Sequence, residues 1–254
     1  MSSDATLSLV MEHCQGGSLF GVLAEMRRGQ RSQRPACRSS QQPQQSGHEG
    51  IAGTDDQHSR PSNARRSSAT GAVAALLDGP QLLRILQGTA EGMAFLHSRG
   101  IIHRDLKSAN LLLDAGQSEV KVCDFGLSRQ AFETAAMTRV GSVQWAAPEV
   151  LLGVAYGQRA DVWSYGVVTW ECLTGLIPFA GLSRTAVARG VAIEGLRLPI
   201  PTLDAERCPL DMLKLLASCF EKERARPEFG DVLRILDSCE GQISIGQDRA
   251  SRRV

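Results

Sequence analysis

The chain has 254 residues, 43% of them hydrophobic and 22% charged, enough for one large domain or two modest ones with a true core. Its 28 Lys and Arg balance its 27 Asp and Glu to a net charge of +1, which argues neither for nor against nucleic acid or a membrane surface. Seven cysteines, odd in number and without a CxxC pair, argue against a disulfide framework or a zinc site and for reduced thiols. No apolar run reaches the roughly 18 residues of a transmembrane helix. "MSSDAT" lacks the basic start and apolar stretch of a signal peptide. The expectation is a cytoplasmic protein with no membrane span and no nucleic-acid partner.

In chain order, "TLSLVMEHCQGGSLFGVL" (Thr6–Leu23) opens with a strand, Leu7–Met11. A turn at Gly16-Gly17 and a helical pattern follow. Near Arg27 the composition shifts to Gln, Ser and Arg with almost no large apolar side chains. Residues 28–71 therefore read as a disordered, solvated insertion, tolerable because loop-closure entropy grows slowly with length. Its "RRSS" (Arg65–Ser68) suits a basophilic kinase. "GPQLLRILQGTAEGMAFLHSRG" places Leu82, Leu86, Ala90 and Met93 at helical spacing beside Ile85 and Leu96, bracketed by Pro80 and Gly100. Two short strands follow, Leu111–Leu113 and Val120–Cys123, turning at Ala115-Gly116. A buried helix covers "DVWSYGVVTWECLTG" and stops at Gly175. Two further helices are predicted near Pro209–Phe220 and Pro227–Cys239, the latter with proline in its first turn. Residues 241–254 read as a flexible tail.

The chemistry concentrates in His103-Arg104-Asp105-Leu106-Lys107-Ser108-Ala109-Asn110, between a helix and a strand, with Asp124-Phe125-Gly126 just past the next strand. Two carboxylates, an amide and a lysine converging on one cleft are what metal-assisted phosphoryl transfer requires. A lone His-Arg-Asp is more often part of a surface ion-pair network. Here, however, Ala147-Pro148-Glu149, then Asp161-Val162-Trp163-Ser164-Tyr165-Gly166, then Arg226-Pro227 follow in order.

This series resembles the eukaryotic protein kinase family, from Leu7 to about Cys239 except the insertion. The resemblance implies an α+β kinase-like fold, mainly the helical large lobe with a remnant of the small-lobe sheet and hinge (1–16 last small-lobe strand and hinge, 17–27 and 72–240 large lobe). It implies ATP and Mg²⁺ as cofactors, a protein substrate and an upstream activating kinase. Asp105 matches the catalytic base and Lys107 the lysine on the γ-phosphate, while Asn110 and Asp124 match the Mg²⁺ ligands. Arg104 matches the arginine that pairs with an activation-segment phosphate. His103 and Phe125 match a structural stack beneath the metal. Met11 would gate the pocket behind adenine, Glu12 and Cys14 offer backbone groups to its edge, and Leu112 lies beneath the ring. Glu149 and Arg226 match a buried ion pair, and Asp161 the aspartate that holds the catalytic loop; these three are architecture.

Lys107, and the hydroxyl of Ser142 in "GSVQWAAPE", are similar to serine/threonine kinases. "KVCDFGLSR" and "DVWSYGVVTWECLTG" look like the tyrosine-kinase-like group, which includes Raf-like and mixed-lineage kinases. Ser128, Thr134, Thr138 and Ser142 are candidate phosphorylation sites, Thr138 first. The resemblance begins at the fifth small-lobe strand, with no glycine-rich loop, strand lysine or helix glutamate ahead of it. The isolated chain is therefore expected to be a very poor kinase, a truncated form of an active enzyme. A non-catalytic pseudokinase or scaffold module is the alternative, and a small-molecule phosphotransferase is disfavoured by the peptide-binding look of the Ala147-Pro148-Glu149 segment.

Overall fold

The computed structural model describes residues 12–33, 77–124, 129–130, 142–203 and 208–251. The expected strand Leu7–Met11, most of the insertion, and Phe125, Ser128, Thr134 and Thr138 lie outside the described residues.

The turn ahead of the first strand is set by two glycines. Gly17 has φ +72°, and its N–H donates to the Cys14 carbonyl at 3.2 Å. Gly16 donates to the Leu113 carbonyl at 2.9 Å, and a Cβ at Gly16 would fall 2.1 Å from the Asp114 carbonyl oxygen. Only glycine lets this turn lie so close to its neighbour. As a result β1 (Gly17–Ser18) pairs antiparallel with β3 (Leu111–Leu113), which pairs antiparallel with β4 (Val120–Val122). Ser18 and Lys121 both face Leu112 in register. The β3–β4 turn is held by the Asp114 carboxylate, which accepts from the N–H groups of Gly116, Ser118 and Glu119.

Helix α1 (Leu19–Gln33) leaves β1 directly and buries Leu19, Val22 and Leu23, an i, i+3, i+4 stripe. It continues past 28, where the insertion was expected to start, through Gln33. Helix α2 (Gly79–Ser98) is capped by Asp78, which accepts from Gln81 N–H at 2.7 Å, has Pro80 in its first turn, and buries the six residues that its periodicity marks. Gly92 brings α2 against β4: a Cβ there would sit 2.9 Å from Val122 Cγ2. Strand β2 (Ile101–Ile102) pairs with β5 (Arg129–Gln130), a pairing that the sequence reading lacks.

The large lobe is organised around α4 (Arg159–Thr174), which follows the short α3 (Pro148–Leu151). Every residue from Ala160 to Thr174 is buried, so the helix is packed on all sides, with Asp161 and Glu171 among its buried side chains. Gly175, at φ +65°, ends it. Around it pack α2, whose Leu86 carbonyl accepts from Tyr165 Oη at 3.2 Å, and α6 (Leu210–Cys219). Helix α5 (Arg184–Ala192) was not anticipated, although Ser183 caps it and Val187 and Val191 are buried at i, i+4. Helix α7 (Phe229–Ser251) differs from expectation at both ends. Pro227 lies before it, because Asp231 accepts from Glu228 N–H and so caps the helix there. No proline interrupts 241–251, so a segment expected as a tail propagates as helix.

A buried ion pair ties α3 and the start of α4 to the stretch between α6 and α7. Arg226 bonds both Glu149 oxygens, at 2.5 and 2.9 Å, and the carbonyls of Arg159 and Glu221. Its guanidinium also lies 5.2 Å from the ring centre of Trp163. Arg226→Ala leaves Glu149 buried and unpaired, and a loss of about 3–5 kcal/mol is expected in chemical denaturation. At Gly166 two effects oppose each other. Alanine gains about 1 kcal/mol of helix propensity, but its Cβ would stand 2.6 Å from Cys219 Cβ. The clash involves atoms fixed to two helix backbones, so Gly166→Ala is expected to destabilise by a net 1–3 kcal/mol, roughly.

Candidate active site

The loop 103–110 leaves β2 and is fixed from α4. Asp161, in the first turn of α4, accepts from His103 N–H on Oδ2 and from Arg104 N–H on Oδ1, both at 2.9 Å. His97 Nε2, from the last turn of α2, lies 2.9 Å from the same Oδ2. These bonds hold Arg104 at φ +72°, a conformation that costs a non-glycine residue energy. The fully buried His103 ring places Nε2 3.1 Å from the Cys123 carbonyl, and its Nδ1 accepts from Asp105 N–H at 3.3 Å. Those partners put its proton on Nε2. The loop is thereby tied to α4, α2 and the end of β4.

Asp105 is 9% exposed. Its Oδ1 accepts from Ser142 N–H at 2.9 Å, and its Oδ2 from Lys107 Nζ at 2.6 Å. Lys107 Nζ also donates to Ser142 Oγ at 3.0 Å. Asn110 Nδ2 donates to the Asp105 carbonyl at 2.9 Å and approaches Oδ2 at 3.4 Å, which turns its amide oxygen away from Asp105. Cys123 N–H donates to the Asn110 carbonyl at 3.0 Å, bringing Asp124 beside Asn110. Asp124 is exposed, with φ +65°.

An amide oxygen and a carboxylate are hard donors of the kind Mg²⁺ takes when phosphate and water complete its shell. Among the described residues no group of three or more His, Cys, Asp or Glu gathers into a cage. The donor set thus fits a magnesium ion shared with a nucleotide.

Leu112 is half-buried between two fully buried neighbours, and strand alternation turns it to the other face of β3. The Glu12 side chain pairs with Lys121 Nζ at 2.6 Å on the surface, and Cys14 is half-buried with its carbonyl engaged by Gly17. Met11 lies outside the described residues. Burial, then the Asp124 charge, push the Cys123 thiol above its ordinary range, so it is no ready nucleophile.

Two participants escaped the sequence reading. Tyr156 Oη accepts from Arg104 Nε at 2.6 Å, so the arginine assigned to a phosphate already has an aromatic neighbour. Glu171, fully buried in α4, accepts from Ser108 Oγ at 3.0 Å and from the Trp145 indole N–H at 2.8 Å. Burial pushes its pKa up to about 7, against those two bonds and the Arg27 charge. The only signal was one carboxylate inside the apolar run "VVTWECL". No helix among the described residues is long and apolar enough to cross a membrane.

Residues 1–236 match the family model described as protein tyrosine and serine/threonine kinase. Mitogen-activated protein kinase kinase kinase 11 of Homo sapiens is 40% identical over 165 residues, covering 61% of this chain and 19% of the relative. Mitogen-activated protein kinase kinase kinase 10 of Mus musculus is 40% identical over 162 residues, 59% of this chain and 17% of the relative. The serine/threonine-protein kinase STY17 of Arabidopsis thaliana is 42% identical over 158 residues, 61% of this chain and 27% of the relative. The chain thus spans a minor part of the length of these relatives. With a family match running over 1–236, the chain belongs to the protein tyrosine and serine/threonine kinase family.

Proposed function

We propose that this chain carries the catalytic lobe of a serine/threonine protein kinase of the tyrosine-kinase-like group, transferring the γ-phosphoryl of Mg·ATP to a Ser or Thr hydroxyl of a protein. The observation that carries the reading is the Asp105 carboxylate held at once by Lys107 and the Ser142 backbone. A general base must be fixed before it can align a hydroxyl. Asp105 accepts the hydroxyl proton as the substrate oxygen bonds to the γ-phosphorus, and the bond to the β,γ-bridging oxygen breaks to release ADP. Lys107, bonded to Asp105, would bring a positive charge to the equatorial phosphoryl oxygens. Asn110 and Asp124 would hold magnesium, which when bound neutralises charge on the phosphates. Leu112 supplies an apolar floor for adenine.

Serine/threonine over tyrosine specificity is supported by the Lys107–Ser142 contact and by the names of the relatives. An upstream activating kinase is part of the proposal, with Arg104 as the receiver of the phosphate and Thr138 as its first candidate site. A cytoplasmic location belongs to the same proposal.

The test is phosphoryl transfer by the chain expressed with any coding sequence that precedes Met1 in its transcript. Asp105→Asn should lower the rate by about 10²–10⁴-fold. Asp124→Asn should raise the Mg²⁺ concentration needed for half-maximal rate. Transfer to Tyr peptides alone would overturn the assigned specificity. Cellular output that is indifferent to Asp105→Asn would replace catalysis by the non-catalytic docking role.

A further inference from the structure

The two segments that hold Asp105 meet again at one buried side chain. On one side, Ser108 opens the short 3₁₀ turn Ser108–Asn110, and Asn110 bonds the Asp105 carbonyl. On the other, Ser142 bonds the Asp105 carboxylate, and Trp145 N–H closes a turn onto the Ser142 carbonyl at 2.9 Å. Glu171 takes the Ser108 hydroxyl on one oxygen and the Trp145 indole on the other. The result is a closed ring running Glu171, Ser108, Asn110, Asp105, Ser142, Trp145 and back to Glu171. Ser164 Oγ, also on α4, fastens the Trp145 carbonyl at 2.8 Å.

We infer that Glu171 is a positioning residue: its ionised carboxylate clamps Ser108 and Trp145, and through them sets the geometry of Asp105. The inference rests on the kinase reading for its consequence in catalysis, and on geometry alone for the clamp.

The chemistry of the two donors gives the clamp two states. An ionised carboxylate accepts from both. The indole N–H of Trp145 only donates, so a proton on Glu171 must sit on the oxygen facing Ser108. Ser108 then has to accept rather than donate, and its own hydrogen must find another partner at the start of the turn that carries Asn110. A midpoint near 7 puts both states within reach of neutral pH. The charge that acts on the Glu171 carboxylate comes from one side. Arg27 on α1 acts on it and favours the ionised form. Lys107 is engaged by Asp105 and Ser142, and His97 by Asp161 at the other end of α4. Asp211 and Lys214 on α6 pair with each other. Cys172, next along the helix, is held protonated by burial.

The test follows the Trp145 indole N–H and the Ser142 amide by NMR on the full chain from about pH 5.5 to about 8.5. The other indoles are internal references: Trp170 donates to the Pro199 carbonyl at 2.9 Å, and the Trp163 indole N–H has no hydrogen-bond partner among the described residues. Both probes should titrate together with a midpoint near 7. Glu171→Gln, which keeps one acceptor and one donor as the protonated acid does, should abolish the titration. Ser108→Ala removes a bond that favours the charged form and should move the indole midpoint upward.

In the active kinase, kcat should fall as pH drops through about 7. Glu171→Gln should be about tenfold slower at high pH, flat across the range, and unchanged in KM for ATP. Because the raised pKa makes ionised Glu171 a cost that grows from the ordinary carboxylate range up to about 7, the Tm of Glu171→Gln should gain on wild type as pH rises. A flat wild-type indole, an indole that titrates equally in Glu171→Gln, or an indole that moves without the Ser142 amide would each overturn the clamp. A chain with no transfer at any pH but coupled titration of the two probes would keep the clamp and remove the kinase reading.

Discussion

The loop from His103 to Asn110 has its shape because one carboxylate, Asp161, is buried beneath it. A charge in that position is tolerable only when its lone pairs are filled, and the donors at hand are the backbone N–H groups of His103 and Arg104 and the ring of His97. Filling them forces the left-handed conformation at Arg104 and turns the chain so that Asp105 leaves toward Ser142 and Asn110. The strain and the burial are one arrangement: the bonds to Asp161 hold the conformation, and that conformation satisfies the carboxylate.

Helix α4 makes this possible by being buried on every side. It acts as a rigid post with two acidic side chains, ten residues and therefore about 15 Å apart along its axis. Asp161 anchors the start of the 103–110 loop, and Glu171 meets its Ser108 together with the segment from Ser142 to Trp145. Each acid serves backbone or side-chain donors from two different parts of the chain. Polar groups at such depth are informative because apolar residues of the same size would fill the space at less cost. The Glu149–Arg226 pair extends the same logic outward, fixing α3 to the stretch ahead of α7 across the Trp163 ring.

Much of this was legible one residue at a time. The periodicity of α2, the apolar run of α4 and the strand pair β3–β4 follow from local pattern, since each buries a stripe or a face that its own spacing defines. Asp105, Lys107, Asn110 and Asp124 stood out because their spacing across a strand pair suits phosphoryl transfer. Helix α5 was equally legible in its Ser183 cap and its valines, and was overlooked. Helix α7 was placed too early and stopped too soon, because capping by Asp231 and unbroken propagation past Gly241 are weaker signals than a proline.

The sequence by itself determined which residue types are present, in which order, and which elements they form, because propensity, caps and apolar spacing act within a few residues. Only the tertiary structure decided that Tyr156 touches Arg104, that β2 pairs with β5, that the glycines at 16 and 92 sit where backbone and strand press closest, and that Glu171 joins Ser108 to Trp145. Those contacts link positions from 26 to 98 residues apart in the chain. No local pattern encodes them; they exist because burying one helix on all sides brings distant segments to its polar atoms, which must then be satisfied.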